Sequence, residues 1–392
     1  MSAPAAKLVI LGSTGSIGES ALRVAASLPG RLRVVGLAAQ YRAERLIEQA
    51  VQFQVPRVAL ADPAAAERAA RLAPPGLTVT GGPDALEALA LEAAADIALV
   101  ALVGIAGLKP VLAALGRGID VALATKEVLV AAGPMVLAAV RRGGARLLPV
   151  DSEHNAIFQC LAGRPPDHVR RLILTASGGP FARDRSIDLD RVSVAEALQH
   201  PRWRMGRKIS IDSATMMNKG LEIIEARWLF GIPLDRIDVV LHPESIVHSL
   251  VEFRDGGLLA QMSASDMRYA IQSALTWPDC LDGGLPPLDL AQLGALHFGK
   301  PDEARFPCLP LARAAAQTGG TMPAVLNAAN EVAVQAFLAG HLSFPGIWRT
   351  VEATLNGHRA APEPNLQAVV EADRWARAEA RARIASAAGT SL

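Results

Sequence analysis

Aromatic residues are scarce in this chain of 392 residues, since Phe, Trp and Tyr together make up only 4% of it. Alanine supplies much of the 51% hydrophobic fraction, so the positive mean hydropathy overstates the affinity of the chain for lipid. The apolar stretch at 97–108 contains two glycines and is shorter than the roughly 20 residues that cross a bilayer. We therefore expect no membrane span.

Neither sign of charge is in excess, because 39 Lys and Arg residues face 38 Asp and Glu residues. A protein whose main partner is nucleic acid usually carries a basic surface, so we do not expect such a partner. The three cysteines, Cys160, Cys280 and Cys308, are far apart and have no metal or redox spacing. The first eleven residues lack the long apolar region of a secretory signal. A reduced, cytoplasmic protein is expected.

Short apolar runs alternate with longer helical patterns over residues 1–150. We predict strands at 7–11, 33–38, 57–60, 78–80, 97–103, 121–124 and 147–150, and helices at 17–27, 43–52, 63–72, 108–117 and 126–142. Strands that alternate with helices form βαβ units with right-handed crossovers. The pattern predicts an α/β fold with an N-terminal Rossmann-like, doubly wound parallel sheet.

The pattern changes after residue 150. Strands predicted at 169–175, 239–241, 249–253 and 258–263, with helices at 155–161 and 214–230, indicate a second, α+β domain at 151–277. Residues 278–307 are rich in Pro, Gly and Asp and are typical of a linker. Residues 308–392 are alanine-rich and nearly all helical in pattern, which predicts a C-terminal α-helical domain.

A glycine-rich turn, Gly12 to Gly18, lies directly between the first strand and the first helix. Glycine lets the backbone approach a phosphate, and the helix N-terminus offers free N–H groups, so the turn is typical of dinucleotide binding. A tight βα turn without ligand is the alternative. The second strand ends in Gln40-Tyr41-Arg42 without an acid, and Arg42 can pair with a 2′-phosphate, which favours NADPH. A solvated loop arginine is the alternative for Arg42.

Carboxylates follow the seventh strand, where ligands of a parallel sheet gather. Asp151 and Glu153 are two residues apart, so in extended chain both point the same way, and a cation relieves their repulsion. Mg²⁺ or Mn²⁺ accepts such oxygen ligands. Glu222 offers a third carboxylate on a helix that Asp212 or Ser213 can cap. The alternatives are acids that decorate a helix N-terminus and an ordinary surface pair between Lys219 and Glu222.

Donors suited to a phosphate follow. Ser177-Gly178-Gly179 forms a flexible turn after a strand, and His200, Ser213, Asn218 and Lys219 add donors later in the chain. The polar segment 200–208 carries Trp203, Met205 and Gly206, a composition that fits a lid over an anionic substrate. The alternative is a surface loop whose Trp203 packs into the core.

Seven blocks of sequence together resemble the 1-deoxy-D-xylulose 5-phosphate reductoisomerase family: 12–18, 124–127, 149–159, 177–181, 200–222, 242–249 and 327–331. The resemblance implies an NADPH-binding domain at 1–150 and a catalytic, metal-binding domain at 151–277 with its lid at 200–208. It also implies a linker at 278–307, a helical domain at 308–392 and a homodimer. The implied reaction isomerises and reduces 1-deoxy-D-xylulose 5-phosphate to 2-C-methyl-D-erythritol 4-phosphate, a step of non-mevalonate isoprenoid precursor biosynthesis.

The resemblance also implies roles for single residues. Mg²⁺ or Mn²⁺ would be bound by Asp151, Glu153 and Glu222, which with Lys126 form the catalytic set. The substrate would be contacted by Lys126, Ser152, Glu153, Ser177, His200, Trp203, Met205, Ser213, Asn218, Lys219 and Glu222. NADPH would be contacted by Thr14, Gly15, Ser16, Ile17, Gln40, Arg42, Thr125, Glu127 and Gly206. Family members commonly have a Gly-Lys-Asn-like run where this chain has Gln40-Tyr41-Arg42, and Arg42 can replace its contacts.

Two rival functions differ in testable ways. Another NADP-linked dehydrogenase, acting on a semialdehyde or on homoserine, would stay active when metal is chelated, and a semialdehyde enzyme would need a nucleophilic cysteine. A nucleotide-sensing regulator would bind NADPH without needing three carboxylates and a phosphate site. The sequence leaves open which divalent ion is used and whether the carbon skeleton rearranges through retro-aldol fragments or a concerted shift.

Overall fold

A computed structural model describes residues 4–92, 94–203 and 205–389, which divide into two compact units. The first unit comprises Met1–Val128, Pro134–Asn155 and Asp266–Pro287, and the second comprises Leu129–Gly133, Ala156–Ser265 and Leu288–Leu392. Arg204, inside the predicted lid, lies outside the described residues. The division into four parts inferred from the sequence stays a prediction.

The first unit is built on a parallel sheet of seven strands. They are β1 Ala6–Leu11, β2 Leu32–Ala39, β3 Arg57–Leu60, β4 Thr78–Gly81, β5 Ile97–Val100, β6 Asp120–Leu123 and β7 Leu147–Pro149. Their order is β4-β3-β2-β1-β5-β6-β7, and every pairing is parallel. All seven predicted strands are present, although β5 ends three residues earlier than expected. The predicted doubly wound parallel sheet is confirmed.

Helices connect these strands: α1 Ser16–Ser27, α2 Ala43–Gln52, α3 Pro63–Leu72, α4 Ala85–Glu92, α5 Leu108–Gly116 and α6 Lys126–Gly143. The sequence prediction missed α4. Its eight residues are fewer than the window of about 11 over which a helical period can be read, although Leu86, Leu89 and Ala90 are buried.

The centre of the sheet has a switch point that matters for binding. β1 pairs with β2 on one side and with β5 on the other, so the chain order reverses beside β1. Ligands of open parallel sheets bind at the carboxyl ends of the strands at such a point. Leu8 to Leu11 of β1 are fully buried, and the glycine-rich turn follows them directly.

The second unit contains a mixed sheet of four strands, β8 Val169–Ala176, β9 Ile237–Leu241, β10 Val247–Phe253 and β11 Leu258–Met262. The order is β11-β10-β8-β9, in which β8 and β9 are parallel and the other pairs are antiparallel. The four strands predicted for this part of the chain are confirmed.

The remaining helices are α7 Ser152–Leu161, α8 Val194–Ala197, α9 Arg207–Ala214, α10 Met217–Phe230, α11 Met267–Thr276, α12 Leu290–Leu293, α13 Cys308–Thr318, α14 Met322–Leu338, α15 Phe344–Asn356 and α16 Leu366–Gly389. α13 to α16 confirm the predicted helical C-terminal part. The central helix α14 is buried over most of its length. No helix within the described residues is long and apolar enough to cross a membrane.

The single helix predicted at 214–230 is wrong, because two helices, α9 and α10, meet there. Met216 between them has φ +64°, a left-handed conformation that breaks the helical path. Asp212 and Ser213 therefore lie inside α9, and the predicted capping role of these two residues is wrong as well.

Candidate active site

The glycine-rich turn is held against the sheet by its own backbone. The amides of Gly12 and Ser13 both donate to the Ala38 carbonyl oxygen at 2.9 Å. Gly12 has φ +95°, and a Cβ there would lie 2.3 Å from the Ala101 carbonyl oxygen. At Gly15, by contrast, a Cβ would meet only the Gly12 carbonyl oxygen, at 3.4 Å. Glycine is thus required at 12 by the fold, whereas Gly15 leaves space at the N-terminus of α1.

A polar residue that the sequence analysis missed braces this turn. Gln49 of α2 is fully buried, accepts a hydrogen bond from Ser13 Oγ at 2.7 Å and donates to the Ser13 carbonyl oxygen at 3.0 Å. Gln49 also donates to Glu19, and Arg45 binds the same carboxylate. The hydrogen bond from Arg45 lowers the pKa of Glu19. The sequence did contain a signal for the burial of Gln49, because Gln49 lies on the same face of α2 as the apolar residues Leu46 and Ala50.

Arg42 lies beside the glycine-rich turn, because its Nη1 donates to the Thr14 carbonyl oxygen at 3.1 Å. Gln40 and Tyr41, which precede it, are exposed. A guanidinium anchored at the edge of the turn is available to a phosphate group bound there. Arg42 is itself exposed, and its role as a phosphate ligand stays a prediction.

The residues after β6 lie at the same carboxyl edge of the sheet. Thr125 is buried at the N-terminal boundary of α6, and its Oγ1 donates to the Leu102 carbonyl oxygen at 2.7 Å. Lys126 forms an ion pair with Asp151, and both side chains are largely buried. Glu127 follows in the first turn of α6. β6 and β7 thereby bring Lys126 and Asp151 together.

The extended geometry expected for Asp151 and Glu153 is wrong. α7 begins at Ser152, where the Asn155 amide donates to the Asp151 carbonyl oxygen at 2.8 Å. The acids decorate a helix N-terminus, as the alternative interpretation had it. One carboxylate oxygen of each residue nevertheless lies within 4.8 Å of the other, so the two donors still converge. Ser152 donates a hydrogen bond to Glu153.

The second unit brings together residues predicted to bind phosphate. Ser177 Oγ lies 2.7 Å from His200 Nε2, and His200 Nδ1 accepts the Trp203 amide at 2.9 Å. Because Nδ1 accepts from a backbone N–H, a neutral His200 carries its proton on Nε2 and donates it to Ser177. The hydroxyl hydrogen of Ser177 can then point toward a ligand.

The turn that contains Ser177 packs directly on the end of α9. Gly178 and Gly179 have φ +83° and +66°. A Cβ at Gly179 would lie 2.8 Å from Ala214 Cα and 2.9 Å from the Ser213 carbonyl oxygen. Only glycine allows this close approach, which brings the Ser177 turn against the helix that carries Ser213.

α10 presents the remaining predicted residues from its first turns. Asn218 Nδ2 donates to Glu222 Oε1 at 2.5 Å, and Lys219 pairs with Glu222 Oε2. Lys219 is 4% exposed and Glu222 is fully buried. The alternative of an ordinary surface pair is therefore wrong. A carboxylate buried this deeply requires compensating partners, which is typical of functional sites.

Within the segment predicted as a lid, residues 200–203 and 205–206 are irregular, and α9 begins at Arg207. Trp203 and Met205 are only half-buried, and the Trp203 ring lies 6.2 Å from the His248 ring. His248 in turn binds Ser263. Trp203 is therefore not a core residue, and closure of the segment stays a prediction.

Burial explains why two cysteines are unsuited to nucleophilic catalysis. It raises the pKa of Cys308 to about 12 and that of Cys160 to about 11, so both remain thiols at neutral pH. Cys280 is exposed. A semialdehyde enzyme needs a thiolate in its site, and these two residues do not supply one.

Three family models match the chain. The model of 1-deoxy-D-xylulose 5-phosphate reductoisomerase matches residues 8–133, its C-terminal domain model matches 147–230, and a DXP reductoisomerase C-terminal domain model matches 262–379. The chain belongs to the 1-deoxy-D-xylulose 5-phosphate reductoisomerase family. The resemblance seen in the sequence is confirmed.

Relatives of this family match over almost the whole chain. The reductoisomerase of Symbiobacterium thermophilum is 54% identical over 95% of this chain and 97% of its own length. That of Pelotomaculum thermopropionicum is 51% identical over 94% and 96%.

Solved structures of the family have the same fold. The Zymomonas mobilis reductoisomerase in complex with NADPH is 44% identical, covers 97% of this chain and 99% of its own, and gives a TM-score of 0.91. Another reductoisomerase, in complex with NADPH, fosmidomycin and magnesium, is 40% identical with a TM-score of 0.90, over 97% of this chain and 98% of its own.

Proposed function

We propose that the residues described above carry the reductoisomerase reaction of the family. As a member of that family, the chain is an NADP-dependent oxidoreductase that converts 1-deoxy-D-xylulose 5-phosphate to 2-C-methyl-D-erythritol 4-phosphate with NADPH and a divalent metal ion. The observation that carries this function is the 54% identity over 95% of the chain to a curated reductoisomerase. When bound, NADPH supplies a hydride and the ion supplies Lewis acidity.

We assign Asp151, Glu153 and Glu222 as ligands of Mg²⁺ or Mn²⁺. The chemistry of these donors fits, because hard divalent ions prefer carboxylate oxygens and the Asp151 and Glu153 oxygens converge. Lys126, which forms an ion pair with Asp151, is assigned to a substrate oxygen. Ser152 precedes Glu153 on the same helical turn and is assigned to the substrate as well.

We assign the substrate phosphate to the second unit. The hydroxyls of Ser177 and Ser213, the Asn218 amide, the Lys219 ammonium and His200 supply donors of the kind that phosphate oxygens accept. The support is that the Ser177 turn packs on α9 and that Lys219 is buried beside Glu222. Trp203 and Met205 are proposed to cover the bound substrate and exclude water.

We assign the glycine-rich turn to the pyrophosphate of NADPH. Thr14, Gly15, Ser16 and Ile17 lie at the N-terminus of α1, and a helix N-terminus favours an anion. Arg42 and Gln40 are proposed to contact the ribose phosphate, and Thr125, Glu127 and Gly206 the rest of the cofactor. The fit is supported by the space that Gly15 leaves and by the anchored guanidinium of Arg42.

Two further assignments are proposed. The chain is expected to form a homodimer, supported by the leucines that β11 exposes at the edge of its sheet. A cytoplasmic location is supported by three free cysteines, which are typical of a reducing compartment.

The decisive experiment follows NADPH oxidation with purified chain and 1-deoxy-D-xylulose 5-phosphate. We expect absorbance at the nicotinamide band to fall with Mg²⁺ or Mn²⁺, to stop when chelator is added and to resume when metal is restored. Oxidation that persists in chelator would point to a simple dehydrogenase. A folded sample with no metal-dependent oxidation would overturn the proposal.

A further inference from the structure

A buried carboxylate stands next to the proposed phosphate site but has no part in it. Asp212 of α9 is 1% exposed, and its two oxygens have different partners. Lys208 Nζ lies 2.7 Å from Oδ2, and Asn330 Nδ2 donates to Oδ1 at 2.8 Å. Asn330 belongs to α14, more than a hundred residues later in the chain.

Asp212 lies on α9, among the residues that carry the proposed substrate contacts, and its hydrogen bond with Asn330 joins α9 to α14. Lys208 is the last residue of the proposed lid, Ser213 follows Asp212 directly, and α10 with Asn218 and Lys219 begins four residues later. The α9–α10 corner also contains Met216 in a left-handed conformation, which a non-glycine residue keeps only when its surroundings fix it. A rigid anchor is therefore needed at this corner.

α14 is suited to be that anchor, because it is buried over most of its length among α13, α15 and α16. Asn330 is fully buried within it. Without the amide of Asn330, one oxygen of a buried, charged Asp212 would lose its hydrogen bond, and α9 would have to shift to find another partner.

We propose that Asn330, acting through Asp212, is a positioning residue that fixes the α9–α10 corner and so the donors that hold the substrate phosphate. The proposal rests on the assignment of Ser213, Asn218 and Lys219 to that phosphate. Asn330 is assigned no contact with substrate or cofactor, and in this proposal it acts through the position of α9.

The test compares two asparagines of one helix. Asn327 is also fully buried on α14, but its amide donates to Glu331 at 2.9 Å and not to Asp212. We expect Asn330→Ala to raise the KM for the sugar phosphate about tenfold, a coupling typical of neighbouring residues, and to leave the KM for NADPH unchanged. Asn327→Ala should lower Tm to a similar extent and leave both KM values unchanged. An equal rise of the substrate KM in both variants, or none in Asn330→Ala, would overturn the proposal.

An isosteric variant keeps the test decisive if Asn330→Ala does not fold. Asn330→Leu has about the volume of asparagine but no amide to donate to Asp212, so it should raise the same KM. The double variant Asp212→Ala/Asn330→Leu should be no worse than the more impaired single variant, because Asp212→Ala and Asn330→Leu both remove the hydrogen bond between these two residues. If the free-energy changes calculated from the substrate KM of the two single variants add up in the double variant, the two residues act independently.

The variant Lys219→Ala distinguishes a failure of the positioning role of Asn330 from a failure of the phosphate-site assignment on which that role rests. A large rise of the substrate KM in Lys219→Ala with no change in Asn330→Ala would remove only the positioning role. No rise in Lys219→Ala would instead show that the phosphate is bound elsewhere, and the assignment of the phosphate site would fall first.

Discussion

Glu222 combines complete burial with hydrogen bonds from Asn218 and Lys219 on its own helix. Glutamine has the same shape as glutamate but no negative charge. Glutamine at this position would therefore lower the affinity for a divalent ion and keep the packing of α10. We expect Glu222→Gln to lower kcat by about 10³-fold or more, since a metal ion contributes several kcal/mol to the transition state. NADPH affinity, measured by fluorescence titration, should remain nearly intact.

Asp373→Asn is the matched control for this variant. Asp373 is a buried acid whose partner is Arg377 on α16, and it has no assigned role in the reaction. Its kcat should equal that of the unmodified enzyme. Equal loss of NADPH binding and turnover in Glu222→Gln would mean that the residue serves the fold and not the metal.

The second prediction at the scale of single residues concerns Glu244 and its contribution to the stability of the fold. Burial raises its pKa, but hydrogen bonds from the His297 backbone and ring lower it more, to about 2 from the ordinary 4.5. A depressed carboxyl pKa stabilises the fold above pH 4.5, and this contribution is lost as pH falls toward 2. We expect Glu244→Gln to lower stability at pH 7 by on the order of 1 kcal/mol.

Thermal melts between pH 3 and pH 7 test this dependence. The Tm difference between the unmodified chain and Glu244→Gln should be largest near neutral pH and should shrink as the solution is acidified below about 4, as carboxyl titration requires. A difference that stays constant with pH would show that packing, and not the charge of Glu244, causes it.

At the scale of elements, two glycines of the βα turn after β1 have different roles. Gly12 is required by the fold, and Gly15 is proposed to leave room for NADPH. Gly12→Ala would place a Cβ 2.3 Å from a carbonyl oxygen at φ +95°, so we expect a loss of at least about 2 kcal/mol of stability. Gly15→Ala should cost about 1 kcal/mol or less, because its Cβ makes only an ordinary contact.

The KM for NADPH distinguishes the two roles. Gly15→Ala should raise it about tenfold, since the added methyl group occupies the space proposed for the pyrophosphate at the helix N-terminus. The substrate KM should not change. A Gly15→Ala enzyme with an unaltered KM for NADPH would place the pyrophosphate away from this turn.

The sequence predicted the central strands well because β1, β2 and β5 are buried over most of their length and therefore form apolar runs. It did not predict the α9–α10 break. The break depends on the left-handed backbone of Met216, which the surrounding packing imposes and no local pattern encodes. The convergence of Asp151 and Glu153 was inferred from an extended chain and occurs instead at a helix N-terminus.

Residues that act through others were also hidden from the sequence. Gln49 and Asn330 are fully buried amide side chains, and their hydrogen bonds to Ser13 and Asp212 span many residues of chain. Periodicity can mark such a side chain as facing the core but cannot name its partner. Residues inside the family blocks could be assigned roles from the sequence because each block is contiguous along the chain.

At the scale of the whole molecule, one edge of the mixed sheet is suited to contact a second copy of the chain. β11 is its outer strand on the side of β10, and Leu258 and Leu259 are 51% and 41% exposed. Successive residues of a strand point to opposite faces, so leucine is presented on both sides of this edge. A net charge of only +1 does little to oppose the approach of a second copy.

A lysine on this strand should prevent the proposed dimer from forming, because charge at an edge blocks pairing between sheets. We expect sedimentation velocity to give a dimer for the unmodified chain and a monomer for Leu259→Lys at micromolar concentration. Leu290→Lys is the control, since Leu290 is 62% exposed on the short helix α12 and outside the sheet. If Leu259→Lys sediments as a dimer, the two copies associate through another surface, and if the unmodified chain is a monomer, the homodimer itself is excluded.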